Sequence, residues 1–390
     1  MARLLDDSLC AFAAEVISRG PQARTELSQR LTLSAASMTR LQRELLARDV
    51  LAEGHPEPNA HATGRPTHVL VPSPTPRTFV GVKLTSDHLY AVSTSLTCER
   101  QDTVDAPLTG RSPQAVMRQV ADTVARLAPA PQYVGISMGG TVDSAGHVGE
   151  AVYLGWRDVD LAPWLAEAGC AVPAVFLNDV EGVARYEQWF GMGRVCEDFS
   201  VVTIGTGVGH AVIHHGRVLH RGDNLLGLIG HLPLDAGSPR TCWLGHSGCA
   251  AALLNLDAIV TAVRDAAPGK ALPPLDPAAP GPVPEVAWLR RCLDEDVPRT
   301  RRVLEDAYRD LARLLAIIAD VSVAQALTIT GELAGILTWG LGDIDAMIAQ
   351  LRDPVSQPIE ITLRPDTFDF WAQGAAAAAI RQWLLATLAA

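Results

Sequence analysis

Ser200-Val201-Val202-Thr203-Ile204-Gly205-Thr206-Gly207-Val208-Gly209-His210-Ala211-Val212-Ile213 is an apolar strand, a glycine turn and a second apolar strand at hairpin distance. The second strand closes on His214-His215-Gly216, and a glycine-spaced loop then ends in Gly230-His231. A Cys242…Cys249 loop with glycines inside it follows. Glycine has no Cβ, so the amides of such a turn can approach a hydroxyl or a phosphate directly. A glycine hairpin alone is most often only a turn; here its neighbours make it specific.

Upstream, Phe79-Val80-Gly81-Val82 and Leu89-Tyr90-Ala91-Val92 read as paired strands, and Pro113–Leu127 as an amphipathic helix. That helix feeds the strand Tyr133-Val134-Gly135-Ile136-Ser137, which ends in Met138-Gly139-Gly140. Residues 164–169 read as a helix end, and Ala174-Val175-Phe176-Leu177 as a further strand. Asn178-Asp179 stand at its carboxyl end, before a helix over 180–189. Polar residues at strand carboxyl ends line the ligand crevice of α/β sheets, although such a pair equally serves as a helix cap. Downstream, 266–284 is Pro-rich and reads as an exposed loop. Then come an amphipathic helix over 301–320, strands over 326–331 and 359–363, and an alanine-rich helix over 374–385. No internal repeat stands out.

The first 72 residues read as a separate module. Leu5, Leu9, Phe12, Ala13, Val16 and Ile17 recur at helical spacing until Gly20-Pro21, and a second helix follows over 24–31. Thr32-Leu33-Ser34 breaks the chain before a third helix over 35–48, for which Ser34 is an N-cap. Leu41, Leu45 and Leu46 form its buried stripe, while Ser37, Thr39, Arg40 and Arg43 lie off it. Val50-Leu51-Ala52-Glu53 and Thr67-His68-Val69-Leu70-Val71 then read as a two-stranded ribbon, with Gly64-Arg65-Pro66 in its loop. This order is that of a winged helix-turn-helix, whose third helix fits a DNA major groove while a loop arginine such as Arg65 enters the minor groove. Residues 22–48 carry five arginines against two glutamates, on a chain whose net charge is -11. A basic module on an acidic body favours local DNA contact over a protein that coats nucleic acid along its whole surface. The competing reading is a three-helix interaction domain with solvated arginines.

With 390 residues, 48% of them hydrophobic and 19% charged, the composition is globular and allows two or three cores. Residues 73–77 form a stiff Pro-rich linker, and 78–390 the larger body. No run spans a bilayer, so no membrane partner is expected. Seven cysteines are too few and too oddly numbered for a disulfide framework, which points to a reducing cytoplasm.

Taken in order, these stretches resemble the ROK family of repressors, open reading frames and sugar kinases. The resemblance runs from Glu26-Leu27-Ser28…Ser34…Arg40 and Gly64-Arg65-Pro66 through Gly135-Ile136-Ser137-Met138-Gly139-Gly140-Thr141-Val142-Asp143 and Gly155-Trp156…Asp160-Leu161. It continues through Asn178-Asp179, Thr203–Gly209, Gly230-His231 and Cys242…Gly245…Gly248-Cys249. It implies an N-terminal winged helix-turn-helix and a two-lobed, actin-like, ribonuclease-H-like α/β body with a sugar-binding cleft. It also implies assembly as a homodimer or homotetramer. Gly140, Asn178, Asp179, Gly207 and His231 are then the ligand-binding candidates.

The departures from the family pattern decide more than the matches. Kinase members resemble one another in an Asp-x-Gly-Gly-Thr phosphate loop, where this chain has Lys83-Leu84-Thr85-Ser86-Asp87. No ATP is expected, and Asp179, the base of the kinase members, becomes an acceptor for a ligand hydroxyl. Leu228 and Ala251 stand where carboxylates usually meet the sugar, so the effector's identity stays open. The zinc pattern has also lost its middle cysteine, to Leu244. His231, Cys242 and Cys249 persist as candidate ligands, with His246 as a fourth, so retention of the structural zinc is an open question. Thr32 stands where the family commonly has glycine.

The sequence therefore describes a DNA-binding regulator, a repressor of operator DNA. Ser34, Ser37, Thr39, Arg40, Arg43 and Arg65 face the duplex, and the catalytically inactive body senses a sugar-like effector. The alternatives are an ATP-dependent sugar kinase with an appended DNA module, and a regulator with a vestigial ligand site.

Overall fold

The computed structural model describes residues 2–54, 69–220, 226, 228–267, 272–276, 283–295, 297, 299–337, 344–365 and 367–389. Of the sequence readings, those on Gly64, Arg65, Pro66, Thr67, His68, Gly227, the Leu5 side chain and parts of 266–284 lie outside what is described. The chain divides into two compact units, Met1–Arg194 with Trp371–Ala390, and Val195–Phe370.

The first unit opens with helix α1 (Ala2–Arg19), strand β1 (Gln22–Ala23), and helices α2 (Arg24–Arg30) and α3 (Ala35–Ala47). Strands β2 (Leu51–Gly54) and β3 (Val69–Pro72) follow. The small antiparallel sheet runs β1-β3-β2, so the expected two-stranded ribbon gains a third strand. Gln22 and Ala23, just after the Gly20 turn, pair with Leu70 and Val69. Ser34 caps α3, its Oγ accepting the Ser37 N–H at 3.2 Å. The buried side of α3 is Met38, Leu41, Gln42 and Leu45, with Leu46 half-buried rather than in the stripe. Segment 73–77 is tied down at both ends. The Ser73 hydroxyl bonds Asp49 at 2.7 Å, and the Arg77 guanidinium pairs with the same carboxylate and stacks 5.2 Å from the Trp383 ring.

The larger sheet of this unit is built from β4 (Phe79–Leu84), β5 (His88–Thr94), β6 (Arg100–Pro107), β7 (Tyr133–Met138) and β11 (Ala174–Asn178). A side sheet holds β8 (Thr141–Val142), β9 (His147–Ala151) and β10 (Trp156–Asp160). Helices α4 (Pro113–Leu127), α5 (Leu161–Glu167) and α6 (Asp179–Phe190) complete the crossovers. Proline at the first position of α4 and the Ser112 cap, which accepts the Ala115 N–H at 3.3 Å, start that helix where the sequence predicts.

In the second unit the strands are β12 (Phe199–Ile204), β13 (Val208–His214), β14 (Arg217–Val218), β15 (Ala326–Thr330) and β16 (Glu360–Leu363). Its helices are α7 (Ala250–Leu254), α8 (Leu256–Ala266), α9 (Pro284–Asp294), α10 (Thr300–Val321), α11 (Ala334–Leu337) and α12 (Ile344–Leu351). The strand order β14-β13-β12-β15-β16 repeats β6-β5-β4-β7-β11 of the first unit. In both, three antiparallel strands lead into two parallel ones. This duplication is invisible in the residues themselves, because it is a repeat of connection and not of side chains.

The chain ends in α13 (Phe368–Ala389), which returns to the first unit from Trp371 onward. It starts before Gly374, which the sequence reading took as its beginning. Gly374 lies inside the helix, and it is glycine because a Cβ there would overlap the backbone of Gly182 on α6. A Cβ on Gly81 or Gly135 would likewise strike the carbonyl oxygens of Ala372 and Ala375. The alanines of α13 and the glycines of β4 and β7 thus let helix and sheet meet backbone to backbone. Further along, Ala377, Ile380, Trp383 and Leu384 join Leu9, Phe12, Val16, Leu27, Leu41 and Leu45 in one core.

Candidate functional site

Three groups of the expected residues occupy three places. In the first unit, β7 ends at Met138 and delivers Gly139 and Gly140 beside the end of β11. Asn178 bridges them: its Nδ2 donates to the Gly140 carbonyl at 2.8 Å, and its Oδ1 accepts the Val180 N–H at 2.9 Å. The residue is therefore both the helix cap that the sequence offered and an anchor for the Gly140 loop. Asp179 Oδ1 shares the Val180 N–H at 2.9 Å, and Oδ2 forms an ion pair with Lys83 Nζ. Lys83 is only 5% exposed, and its ammonium lies 5.1 Å from the centre of the Trp371 ring. Gly140, Asn178 and Asp179 are thus brought together, and Lys83 joins them from near the end of β4.

Gly207 lies in the second unit, in the β12–β13 turn, whose Gly205 N–H bonds the Gly207 carbonyl at 3.0 Å. Thr206 Oγ1 donates to Glu332 Oε1 at 2.9 Å, and a Cβ on Gly205 would overlap the same carboxylate. Glu332 is 8% exposed. The sequence reading missed it, since nothing in Gly331-Glu332-Leu333 signals a partner 126 residues away.

His231, Cys242, His246 and Cys249 gather in the same unit, their ligand atoms all within 4.8 Å of one another. His231 Nδ1 lies 3.5 Å from Cys242 Sγ and 3.8 Å from Cys249 Sγ, and its ring centre is 5.0 Å from that of His246. The Cys242 N–H bonds the His246 carbonyl at 3.0 Å, and Gly245 takes a left-handed φ of 82°. This tight turn brings His246 to the cluster and leaves Leu244, at the lost cysteine's position, 59% exposed. Burial, with His246 adding to it, lowers the His231 pKa, which keeps the ring neutral. Burial raises the Cys242 thiol, but main-chain N–H groups of Leu244 and His246 outweigh it and leave the thiol below its ordinary value. Cys249 is raised, chiefly by burial. Two thiols and two imidazoles at this spacing fit the tetrahedral donor set of zinc.

The third group is on α3. Ser34, Thr39, Arg40 and Arg43 are exposed, and Ser37 is half-buried by its cap bond. Thr39 is already engaged: its Oγ1 donates to the Ala35 carbonyl at 3.0 Å and accepts from Arg24 Nη2 at 3.1 Å. Arg24, the first residue of α2, is thereby held against the exposed side of α3. Sequence reasoning counted its charge but gave it no place. Thr32, in the turn between the two helices, takes a left-handed φ of 52°.

A duplicated five-stranded α/β sheet with a polar cluster at the carboxyl ends of its parallel strands defines an actin-like protein. Residues 80–378 match the ROK family, and the chain belongs to that family. It is 34% identical over 121 residues to a glucokinase of Halalkalibacterium halodurans, an alignment covering 30% of this chain and 36% of that one. To the transcriptional regulator Rv0485 of Mycobacterium tuberculosis it is 29% identical over 270 residues, 67% of this chain and 60% of that one. The chain thus spans little more than a third of the one relative's length and three fifths of the other's. The fold of a solved ROK family transcriptional regulator, described as a homologue of the Escherichia coli MLC protein, superimposes with a TM-score of 0.75 at 22% identity, covering 98% of each chain.

Proposed function

We propose that this chain is a DNA-binding transcriptional repressor whose kinase-derived body senses a small ligand and transfers no phosphate. The observation that carries the reading is the exposed face of the capped helix α3, with Arg40 and Arg43 on it and Arg24 held beside it. Arginines on one exposed helical face match the phosphate lattice of a duplex, and a capped helix end directs its first side chains toward base edges. In this reading Ser34, Ser37 and Arg40 contact DNA, Arg24 and Arg43 hold phosphates, and Arg65 enters from the wing. Thr39 positions Arg24. The names of the relatives, which include the repressor Mlc and the dual regulator NagC of Escherichia coli, support it.

Two features argue against phosphoryl transfer. A general base must take a proton from the substrate hydroxyl, yet Asp179 already holds an ammonium. The glycine turn at Gly205–Gly207 is backed by the Glu332 carboxylate, which repels rather than cradles a phosphate. Gly140, Asn178 and Asp179, gathered in the first unit, serve instead as hydrogen-bond partners of a sugar-like effector. His231, Cys242, His246 and Cys249 hold a structural zinc that clamps the 231–249 loop. The protein works as a homodimer or homotetramer that places two α3 helices on a two-fold operator.

The direct test is a gel shift with the region upstream of the protein's own gene. A salt-sensitive, sequence-selective shift, lost in Arg40→Ala, is expected. A shift that is absent, or present with no sequence preference, defeats the reading. ATP turnover on hexoses and amino sugars that disappears in Asp179→Asn would establish the kinase alternative.

A further inference from the structure

A second cluster of metal-binding side chains lies at the other end of the β12–β13 ribbon, away from the 231–249 loop in sequence and in partners. Asp198 immediately precedes β12, and His214 ends β13. Asp198 Oδ1 lies 2.7 Å from His214 Nδ1 and 3.9 Å from His215 Nδ1. The ligand atoms of the three residues all fall within 4.8 Å of one another.

The backbone explains how neighbours in sequence come to face one carboxylate. Successive residues of a strand point to opposite sides of the sheet, so His214 and His215 would ordinarily diverge. Here His214 pairs with Arg217 across a two-residue turn, and His215 and Gly216 both take left-handed φ values, 47° and 66°. This is the geometry of a type I′ hairpin, whose first central position favours asparagine, aspartate or glycine. Histidine at that position swings its ring back over its neighbour, leaving the two ring centres 4.0 Å apart. Two main-chain bonds fix the frame: the His215 N–H to Asp198 Oδ1 and the Gly216 N–H to the Glu197 carbonyl, each 2.9 Å. The first bond accounts for an aspartate at 198. It does not account for a second imidazole at a turn position that disfavours one.

We propose that Asp198, His214 and His215 form a binding site for a divalent transition-metal ion, separate from the cysteine-containing loop. Two imidazoles and one carboxylate suit zinc, nickel or copper and not magnesium or calcium, which prefer oxygen donors. The side chains of His214 and His215 are 45% and 75% exposed, so an ion enters freely and keeps open positions for water. Bound metal pins the β13–β14 hairpin to the start of β12.

The test is a zinc titration of the full chain against a chromophoric chelator, with His215→Asn as the decisive variant. Asparagine suits the left-handed turn, so this substitution removes a ligand and keeps the hairpin. Wild type is expected to take up one more zinc per chain than His215→Asn, and His214→Gln to lose the same equivalent. In a Cys242→Ser, Cys249→Ser chain, X-ray absorption of bound zinc is expected to report nitrogen and oxygen neighbours and no sulfur. Equal uptake by wild type and His215→Asn overturns the proposal. So does a Cys242→Ser, Cys249→Ser chain whose zinc uptake is unchanged by His215→Asn.

Discussion

Lys83 on β4 and Asp179 at the start of α6 are ion-paired across the first unit's sheet, and both are largely withdrawn from solvent. Side-chain exposures of 6% and 15% leave neither charge a full hydration shell. Breaking a buried pair from one side strands the other charge, which costs about 3 kcal/mol or more, whereas replacing both partners by apolar residues is close to neutral. Asp179→Asn is therefore expected to lower the melting temperature clearly, and Lys83→Met with Asp179→Leu to recover most of it. Equal melting temperatures for Asp179→Asn and wild type would mean that the pair does not form in solution.

Arg24 supplies a second prediction, because its guanidinium is anchored by Thr39. If Arg24 and Arg43 each neutralise one phosphate, each alanine variant reduces the slope of log affinity against log salt by about 1. Thr39→Val is expected to weaken binding in wild type and to have little further effect once Arg24 is alanine. Additive losses would instead give Thr39 a DNA contact of its own.

The cysteine loop makes a third. Removing metal with a strong chelator is expected to lower the melting temperature of wild type by more than that of a Cys249→Ser chain. Leu244→Cys reinstates the thiolate of the family pattern and is expected to slow zinc loss. His246→Ala should speed it, and an unchanged rate in His246→Ala would exclude that ring as a ligand.

Acid sensitivity follows from His210, which is buried against Ser200 at 3.1 Å with its pKa pushed down by burial to about 4. The folded state then binds fewer protons than the unfolded state between that value and 6.5, so stability is complete above pH 6.5 and falls as pH drops toward 4. The loss amounts to about 3 kcal/mol over the window. His210→Gln is expected to flatten this part of a pH–stability curve, and a curve as steep as wild type would assign the effect to other groups.

Thr32 offers the opposite sign. A β-branched residue at a φ of 52° carries backbone strain that glycine does not feel. Thr32→Gly is expected to raise stability by about 0.5 kcal/mol once the greater chain entropy of glycine is subtracted. A fall in melting temperature would show that the threonine side chain compensates.

Much of the architecture was legible because it depends on local patterns. The Ser34 and Ser112 caps, the apolar strands and the α4 helix each carry their signal within a few residues. What stayed hidden depends on partners distant in sequence. Gly374 reads as a helix boundary until Gly182 is seen against it, and Gln22-Ala23 is too short to announce a strand. In the site, the glycines, Asn178 and Asp179 could be found from their places at strand ends. The loss of the phosphate loop at Lys83 was equally visible, but the pairing of that lysine with Asp179 was not, since 96 residues separate them. Glu332 and Arg24 escaped for the same reason.

The final helix closes the core beneath α1 and α3 and fills the sheet beside Gly81 and Gly135. During synthesis the amino-terminal arginines leave the ribosome first, yet the apolar residues that seat their helices arrive last. A nascent chain therefore leaves that shared core open until translation has passed Leu388.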